Sequence, residues 1–267
     1  MMRRIETIIA RIRRLVAPNG GPGTHDGTNT YFLWEPDGIT VIDAGPALDG
    51  HVEAILAQAG GPIRRILNTH THRDHAGAAR ALSARTGAPV YGYRHPMVPE
   101  FAPDIGLGEG DRVGSLTAVF TPGHARDHLC FSWSGAVLFS GDHVMDWASS
   151  LVRPPHGDMA DYVASIEKLR HRRECLYLPG HGPPVLSPAA RLADLLARRR
   201  HREQKILARL ALAGATLDEL TAQFYKREVE VFSAGRGIVE AHLLKLRQEG
   251  RVDIDDSGKW SLVWTGP

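Results

Sequence analysis

The stretch LNTHTHRDHAGAA, residues 67–79, packs three histidines and one aspartate into six positions at the end of a β-type run, RRILNT. No other feature restricts the fold as much. An extended backbone sends residues i and i+2 to one side, so His70 and His72 converge on a point that can hold a cation. Asp74 and His75 lie past the turn and face away from that pair, which suits a second cation a few ångströms off. The architecture must leave this strand end open.

The first 185 or so residues alternate short β-type runs with helical ones. NTYFLW (29–34) and GITVID (38–43), split by Pro36, Asp37 and Gly38, read as adjacent antiparallel strands. Asp49 is placed to cap a helix over 50–59, whose Val52, Ile55, Leu56 and Ala59 form one apolar stripe ended by Gly60, Gly61 and Pro62. Helical spacing returns over 77–86 and stops at Gly87. Runs 115–120, 128–133 and 136–141 are β-type, with a turn at Gly135 pairing the last two. Asp158 opens a helix through Tyr162, Val163, Ile166 and Leu169, and CLYLPG (175–180) is a last strand. Strands interleaved with helices predict an α/β domain with helices covering the sheet faces.

From Ser187 the texture changes. Ser187 and Pro188 form an N-cap and first-turn pair for a long helix through Leu192, Leu195 and Leu196 to Ile206, Leu207 and Leu210. Thr216 with Glu219 matches a capping box before a short helix. A third helix, 237–250, turns Ile238, Leu243, Leu244 and Leu246 inward, and residues 251–264 read as a hairpin. The expected organisation is a catalytic domain over 1–186 and a winged-helix-like domain over 187–267.

Donors that could complete the cluster stand at other predicted strand ends: His124 in FTPGHARDH, Asp142 in LFSGDH and His181 in YLPGHG. Each follows an apolar strand and sits beside a glycine, where the chain turns away and a side chain can face a shared rim. THTHRDH, TPGH, SGDH and PGHG, in that order, together with GTNTYFLW and VIDAGP, resemble the metallo-β-lactamase-fold hydrolases. The resemblance implies an αββα sandwich with two metals, normally zinc, at one edge. It also implies that His70, His72 and His124 bind the first metal, that Asp74, His75 and His181 bind the second, and that Asp142 bridges both. Imidazole and carboxylate suit zinc, and manganese or iron also accept such donors. Two divalent cations about 3.5–4 Å apart bind one water, lower its pKa towards neutrality and present hydroxide to an electrophile. Asp74 is then the natural catalytic proton acceptor. Asp43 in VIDAGP resembles the superfamily aspartate that supports a metal-binding histidine. His128 is placed to orient a ligand, to donate a proton to the leaving group or, equally, to serve a structural role, and His143 and His156 to line the pocket or meet solvent. Ala125 stands where the family often has threonine, so any hydrogen bond from that hydroxyl is missing.

True β-lactamases of this fold are secreted and commonly carry cysteine where this chain has Asp142. Hydroxyacylglutathione hydrolases share all seven ligand types, but their glutathione-binding residues are not identifiable here. The tail, with RHREQKIL and AHLLKLRQEGRV, resembles the β-lactamase-like branch with a winged-helix appendage, whose best-known animal members are single-strand endoribonucleases. The leading expectation is a dinuclear zinc hydrolase acting on an ester, thioester or similar small acyl substrate. The alternative is RNA cleavage, and a third reading is a winged-helix regulator that binds nucleic acid.

Residues 191–267 carry 14 basic and 11 acidic side chains, a balance of +3, and RRRHR (198–202) is the one dense basic run. A dedicated nucleic-acid reader is usually more basic. The plainer expectation is a solvated helix face with ion pairs such as Arg199 with Glu203. The tail could also wall the active site or mediate a homodimer. A whole-chain charge of +2 demands no polyanionic or membrane partner. Only Cys130 and Cys175 are present, which suits a reducing compartment, and no apolar run approaches the roughly 20 residues of a membrane span. The Arg-rich start has a transit-like composition, but Glu6 and the lack of a cleavage-like site favour a cytoplasmic protein.

Overall fold

The computed structural model describes residues 6–225 and 229–263. A seven-stranded sheet opens as an antiparallel meander of β1 (Glu6–Ile9), β2 (Ile12–Val16), β3 (Asn29–Glu35) and β4 (Gly38–Ile42). Helix α1 (Asp49–Ala59) crosses to the parallel strand β5 (Ile63–Leu67), and α2 (Arg73–Ala76) and α3 (Ala79–Thr86) lead on to β6 (Val90–Tyr93) and β7 (Ile105–Leu107). In a second sheet, β8 (Arg112–Val113), β9 (Leu116–Phe120), β10 (Leu129–Trp133) and β11 (Val137–Gly141) are antiparallel. Helix α4 (Met159–Arg170) then crosses to β12 (Leu176–Pro179), parallel to β11.

Alternation along the strands explains the layering. Tyr31, Leu33 and Ile42 point between the sheets and meet Leu129, Phe131 and Phe139. Their chain neighbours Phe32 and Val41 point outward beneath Val52, Ile55 and Leu82 of α1 and α3. Cys130 and Leu138 likewise lie beneath Tyr162, Ile166 and Leu169 of α4 and Leu192, Leu195 and Leu196 of α5 (Pro188–Leu210). Both faces of the central strands are therefore buried, and β4, β10 and β11 read as largely apolar runs, whereas β1, β2, β5 and β8 keep charged residues at exposed positions. The result is the expected αββα sandwich.

Helix α5 is shared. Its first half packs on the sandwich, while Ile206 and Leu210 join Leu220, Val239, Leu243 and Trp260 in a separate core. That core lies among α6 (Leu217–Ala222), α7 (Val229–Gln248) and a small sheet in the order β13 (Ala215–Thr216), β15 (Lys259–Leu262), β14 (Val252–Ile254).

Several local expectations need correction. Asp49 does not cap α1: Leu48 occupies the N-cap without a side-chain bond, and Asp49 sits in the first turn. Ser187 holds the N-cap position of α5, but its hydroxyl makes no capping bond. Asp158 and the Thr216–Glu219 box do cap their helices. Helix α7 starts at Val229 instead of 237, because tertiary packing overrides the weak helix propensity of a segment containing Gly235 and Gly237. The Arg-rich start forms the β1–β2 hairpin, its residues 1–5 and the hairpin end at 264 lying outside the described residues. Strands β6, β7 and β8 are two to four residues long, too short to show a period.

Candidate metal centre

The histidine run leaves β5 at the sheet edge and enters α2, with His72 as its extended N-cap residue. His124 follows β9, Asp142 follows β11 and His181 follows β12, so four strand ends meet. His72 Nδ1 lies 2.8 Å from His70 Nε2 and 3.0 Å from His124 Nε2. His75 Nε2 is 3.2 Å from His181 Nε2. Asp142 Oδ1 is 3.4 Å from His75 Nε2, and its Oδ2 is 3.6 Å from His124 Nε2 and 3.4 Å from His181 Nε2. Asp74 Oδ2 stands 3.3 Å from His181 Nε2. Asp74 and His75 thus join His70 and His72 around one centre: the rings of His70 and His75 are 4.3 Å apart.

The outward-facing nitrogens define the tautomers. His124 Nδ1 donates to Leu151 O at 2.7 Å, and His181 Nδ1 donates to Gly27 O at 3.3 Å. His75 Nδ1 donates to Asp43 Oδ2 at 2.9 Å. Thr69 gives its only hydroxyl proton to Asp43 Oδ2, so it accepts from His70 Nδ1. Four Nε2 lone pairs therefore point inward, towards His72 Nδ1 and two carboxylates. Four imidazole nitrogens with inward lone pairs, packed within hydrogen-bond distance of one another or of His72 Nδ1, beside a buried Asp142 Oδ1 with no hydrogen-bond partner among the described residues, make up the donor set a divalent cation requires.

The electrostatics agree. Burial pushes His70 down, helped by its neighbours His75 and His72. Burial, then His124, lowers His72 to about 3, and burial lowers His124. Burial opposes the charged forms of the other four, but mutual attraction outweighs it. His75 is raised by Asp142, Asp74 and Asp43, and His181 by Asp142 and Asp74, to about 9. Asp142 is held low by His181 and His75, and Asp74 at about 2 by His75 and His181. The two carboxylates are thus held in the ionised form that ligands of a cation need, and burial favours the neutral form of His70, His72 and His124.

Asp43 supports the arrangement at a cost in backbone strain, with φ 54°. Its Oδ1 accepts from Thr69 N at 2.7 Å, and its Oδ2 holds Thr69 and His75 together. His128 lies behind His70, ring centroids 5.2 Å apart, fully buried, with Nδ1 on Thr121 and away from the cleft. The geometry gives it packing beneath the cluster and no path to a leaving group. His143 is also buried, against Tyr162, and burial lowers it to about 3. His156 is exposed on the cleft, 5.7 Å from the His72 ring.

The cleft above the cluster has a volume of about 700 Å³. One wall is the segment 145–151, held by two arginines of α5. Arg191 donates to Met145 O at 2.7 Å and Ala148 O at 2.6 Å, and Arg199 donates to Ser150 O at 2.6 Å. Sequence reading missed both arginines. The signal was there: Arg199 and Glu203 fall on the stripe of Leu192, Leu195, Leu196, Ile206 and Leu210, where a charge must be buried. The expected Arg199–Glu203 pair does not form, and Glu203 instead meets Lys245 at 3.1 Å and His242 at 3.2 Å. Arg198 pairs with Asp194, Arg200 with Glu167, and Arg202 packs on Phe224 and Tyr225.

Asp127, two residues beyond Ala125, was also missed. Its Oδ2 accepts from Thr71 Oγ1 at 2.5 Å and Met97 N at 2.8 Å, and Thr71 Oγ1 accepts from Val98 N at 3.0 Å. Asp127→Ala leaves these buried donors unpaired and is expected to cost about 1–3 kcal/mol. Urea unfolding measures it, and an unchanged midpoint would show that the loop does not need this carboxylate.

Comparison with known proteins agrees with the geometry. The metallo-beta-lactamase superfamily profile matches residues 23–181, and the beta-lactamase associated winged helix domain matches 216–260. The chain is 25% identical to the beta-lactamase-like protein 2 homolog of Drosophila melanogaster over 276 residues, covering 95% of this chain and 93% of that one. It is 32% identical to thioesterase pkgB of Emericella nidulans over 210 residues, 74% of this chain and 58% of that protein. A beta-lactamase domain protein from Burkholderia ambifaria superposes with a TM-score of 0.82 at 22% identity, covering 97% of this chain and 93% of that one. Among the described residues no helix is long and apolar enough to cross a membrane. With the profile spanning more than half its length over a His/Asp centre of this kind, the chain belongs to the metallo-beta-lactamase superfamily of metal-dependent hydrolases.

Proposed function

We propose that this protein is a dinuclear zinc thioesterase. The observation that carries the reading is the gathering of five imidazole nitrogens and two carboxylates at one point, opening onto a cleft that is also lined by apolar side chains. His70, His72 and His124 would hold one ion, Asp74, His75 and His181 the other, and Asp142 would face both. Bound there, the ions supply an acidified water and polarise a carbonyl. The chain's residues do the rest. Asp43 fixes His75, and through Thr69 also His70, with lone pairs inward. Asp74, whose side chain is one-third exposed and lines the cleft, is the carboxylate placed to accept the proton lost by the attacking water. Water adds across the acyl–sulfur bond, releasing a carboxylic acid and a thiol. A relative named as a thioesterase supports this choice over other esters.

RNA cleavage is the weaker reading, because the one dense basic run is neutralised within the fold: of its four arginines one is buried, two are ion-paired and one is packed on aromatic rings. Asp74→Asn in zinc-loaded protein is expected to lower kcat on acyl thioesters by about 10²–10⁴-fold. A panel of thioesters, lactones and single-stranded RNA at low and high salt tests the proposal. Full turnover by Asp74→Asn, or RNA cutting that fades steeply with salt while thioesters are ignored, would reject it.

A further inference from the structure

We propose that the cleft receives an apolar acyl group, and that Ala234, on α7 of the C-terminal domain, limits its length. This rests on the thioesterase reading. The cleft has a mixed lining: beside the histidines and carboxylates of the centre and the charged Arg73 and Arg153, the side chains of Val98, Met145, Trp147, Leu151 and Ala234 supply apolar wall. A thioester placed with its carbonyl at the centre lays its hydrocarbon along that wall. The wall is preformed, since Arg191 and Arg199 hold the carbonyls of Met145, Ala148 and Ser150.

Ala234 is the point where α7 meets this space. The helix is seated tightly on both sides of it. A Cβ on Gly235 would run into the Tyr225 ring, and one on Gly237 would come within 3.0 Å of Arg153 Cβ. The backbone therefore has little room to retreat, and a larger side chain at 234 must project into the cleft. The small methyl leaves the volume that the acyl group occupies. On this account the C-terminal domain contributes a substrate wall to the hydrolase.

The experiment compares zinc-replete wild type, Ala234→Val, Ala234→Leu and Ala234→Trp on N-acetylcysteamine thioesters from acetyl to dodecanoyl. In wild type, kcat/KM should rise about fourfold per added methylene until the cleft is full. Ala234→Trp should lose at least tenfold on the longest acyl groups and stay within about threefold on acetyl, with Val and Leu intermediate. Should the tryptophan variant fail to fold by circular dichroism, the graded Val and Leu variants carry the test. Calorimetric titration with the free carboxylic acids, from acetate to dodecanoate, gives a second readout. A wild-type length profile in every folded variant overturns the role of Ala234 while leaving thioester hydrolysis intact. Length-dependent binding of the acids, shortened by these substitutions without thioester turnover, upholds Ala234 and overturns the thioesterase reading.

Discussion

Asp142→Ala is expected to abolish metal binding at both halves of the centre and to lower kcat/KM by about 10³-fold or more, on the order of 4 kcal/mol. Among the described residues no other carboxylate faces histidines from both groups so evenly: its two oxygens stand 3.4–3.6 Å from the Nε2 atoms of His75, His124 and His181. Without it, five imidazoles share one acid, and neither half keeps a full set of donors. Gly180→Ala should act in the same direction with every ligand retained. A methyl there would press into Asp142 Oδ1 and His75 Cε1 inside van der Waals contact. Metal content by mass spectrometry after dialysis against a weak chelator, measured beside turnover, checks both. Two tightly held ions in Asp142→Ala would refute the bridging position.

The second large effect falls on a residue that touches no substrate. Arg199 is buried, donates to Ser150 O and lies 4.9 Å over the Tyr162 ring. Ser150 in turn donates its hydroxyl to the carbonyls of Asp142 and His143, so the arginine reaches the centre through one intermediate. Arg199→Ala leaves a void and an unpaired carbonyl, together roughly 2–4 kcal/mol. Thermal unfolding should drop by several degrees, and KM should rise more than kcat falls because the 145–151 wall loosens. Arg199→Lys should recover part of both, since an ammonium can still meet the carbonyl. Arg198→Ala, by contrast, removes an exposed pair with Asp194 and should stay within about 0.5 kcal/mol. Equal effects at 198 and 199 would mean that burial along α5 has no bearing on the cleft.

These two arginines show where sequence reading runs out. Arg191 and Arg199, which hold the cleft wall, both lie on the charge-rich α5 and look solvated one residue at a time. Only the stripe position of Arg199, between Leu196 and Ile206, hints otherwise, and the carbonyl it meets lies 49 residues away. The caps divide in the same way. Asp158 and Thr216 have backbone N–H groups within reach and form the expected bonds, whereas at Asp49 the chain enters the helix one residue earlier and the carboxylate is left in the first turn.

From the chain of letters came the α/β layering, the cluster of His70, His72, Asp74 and His75 at a strand end and the candidate donors His124, Asp142 and His181, while the αββα sandwich, the ligand set as a whole and the part of Asp43 came with the resemblance to a known family. What the residues themselves showed is local: short apolar runs between turn signals mark strands buried on both faces, and a turn after such a strand can deliver a His or Asp to a common rim. Tertiary structure decided which nitrogen of each imidazole faces inward, because that depends on acceptors such as Leu151 O and Gly27 O, far off in sequence. It also decided that arginines of α5 hold one wall of the cleft and that Ala234 is among its lining residues, since contacts between distant segments follow from packing and leave no period to read.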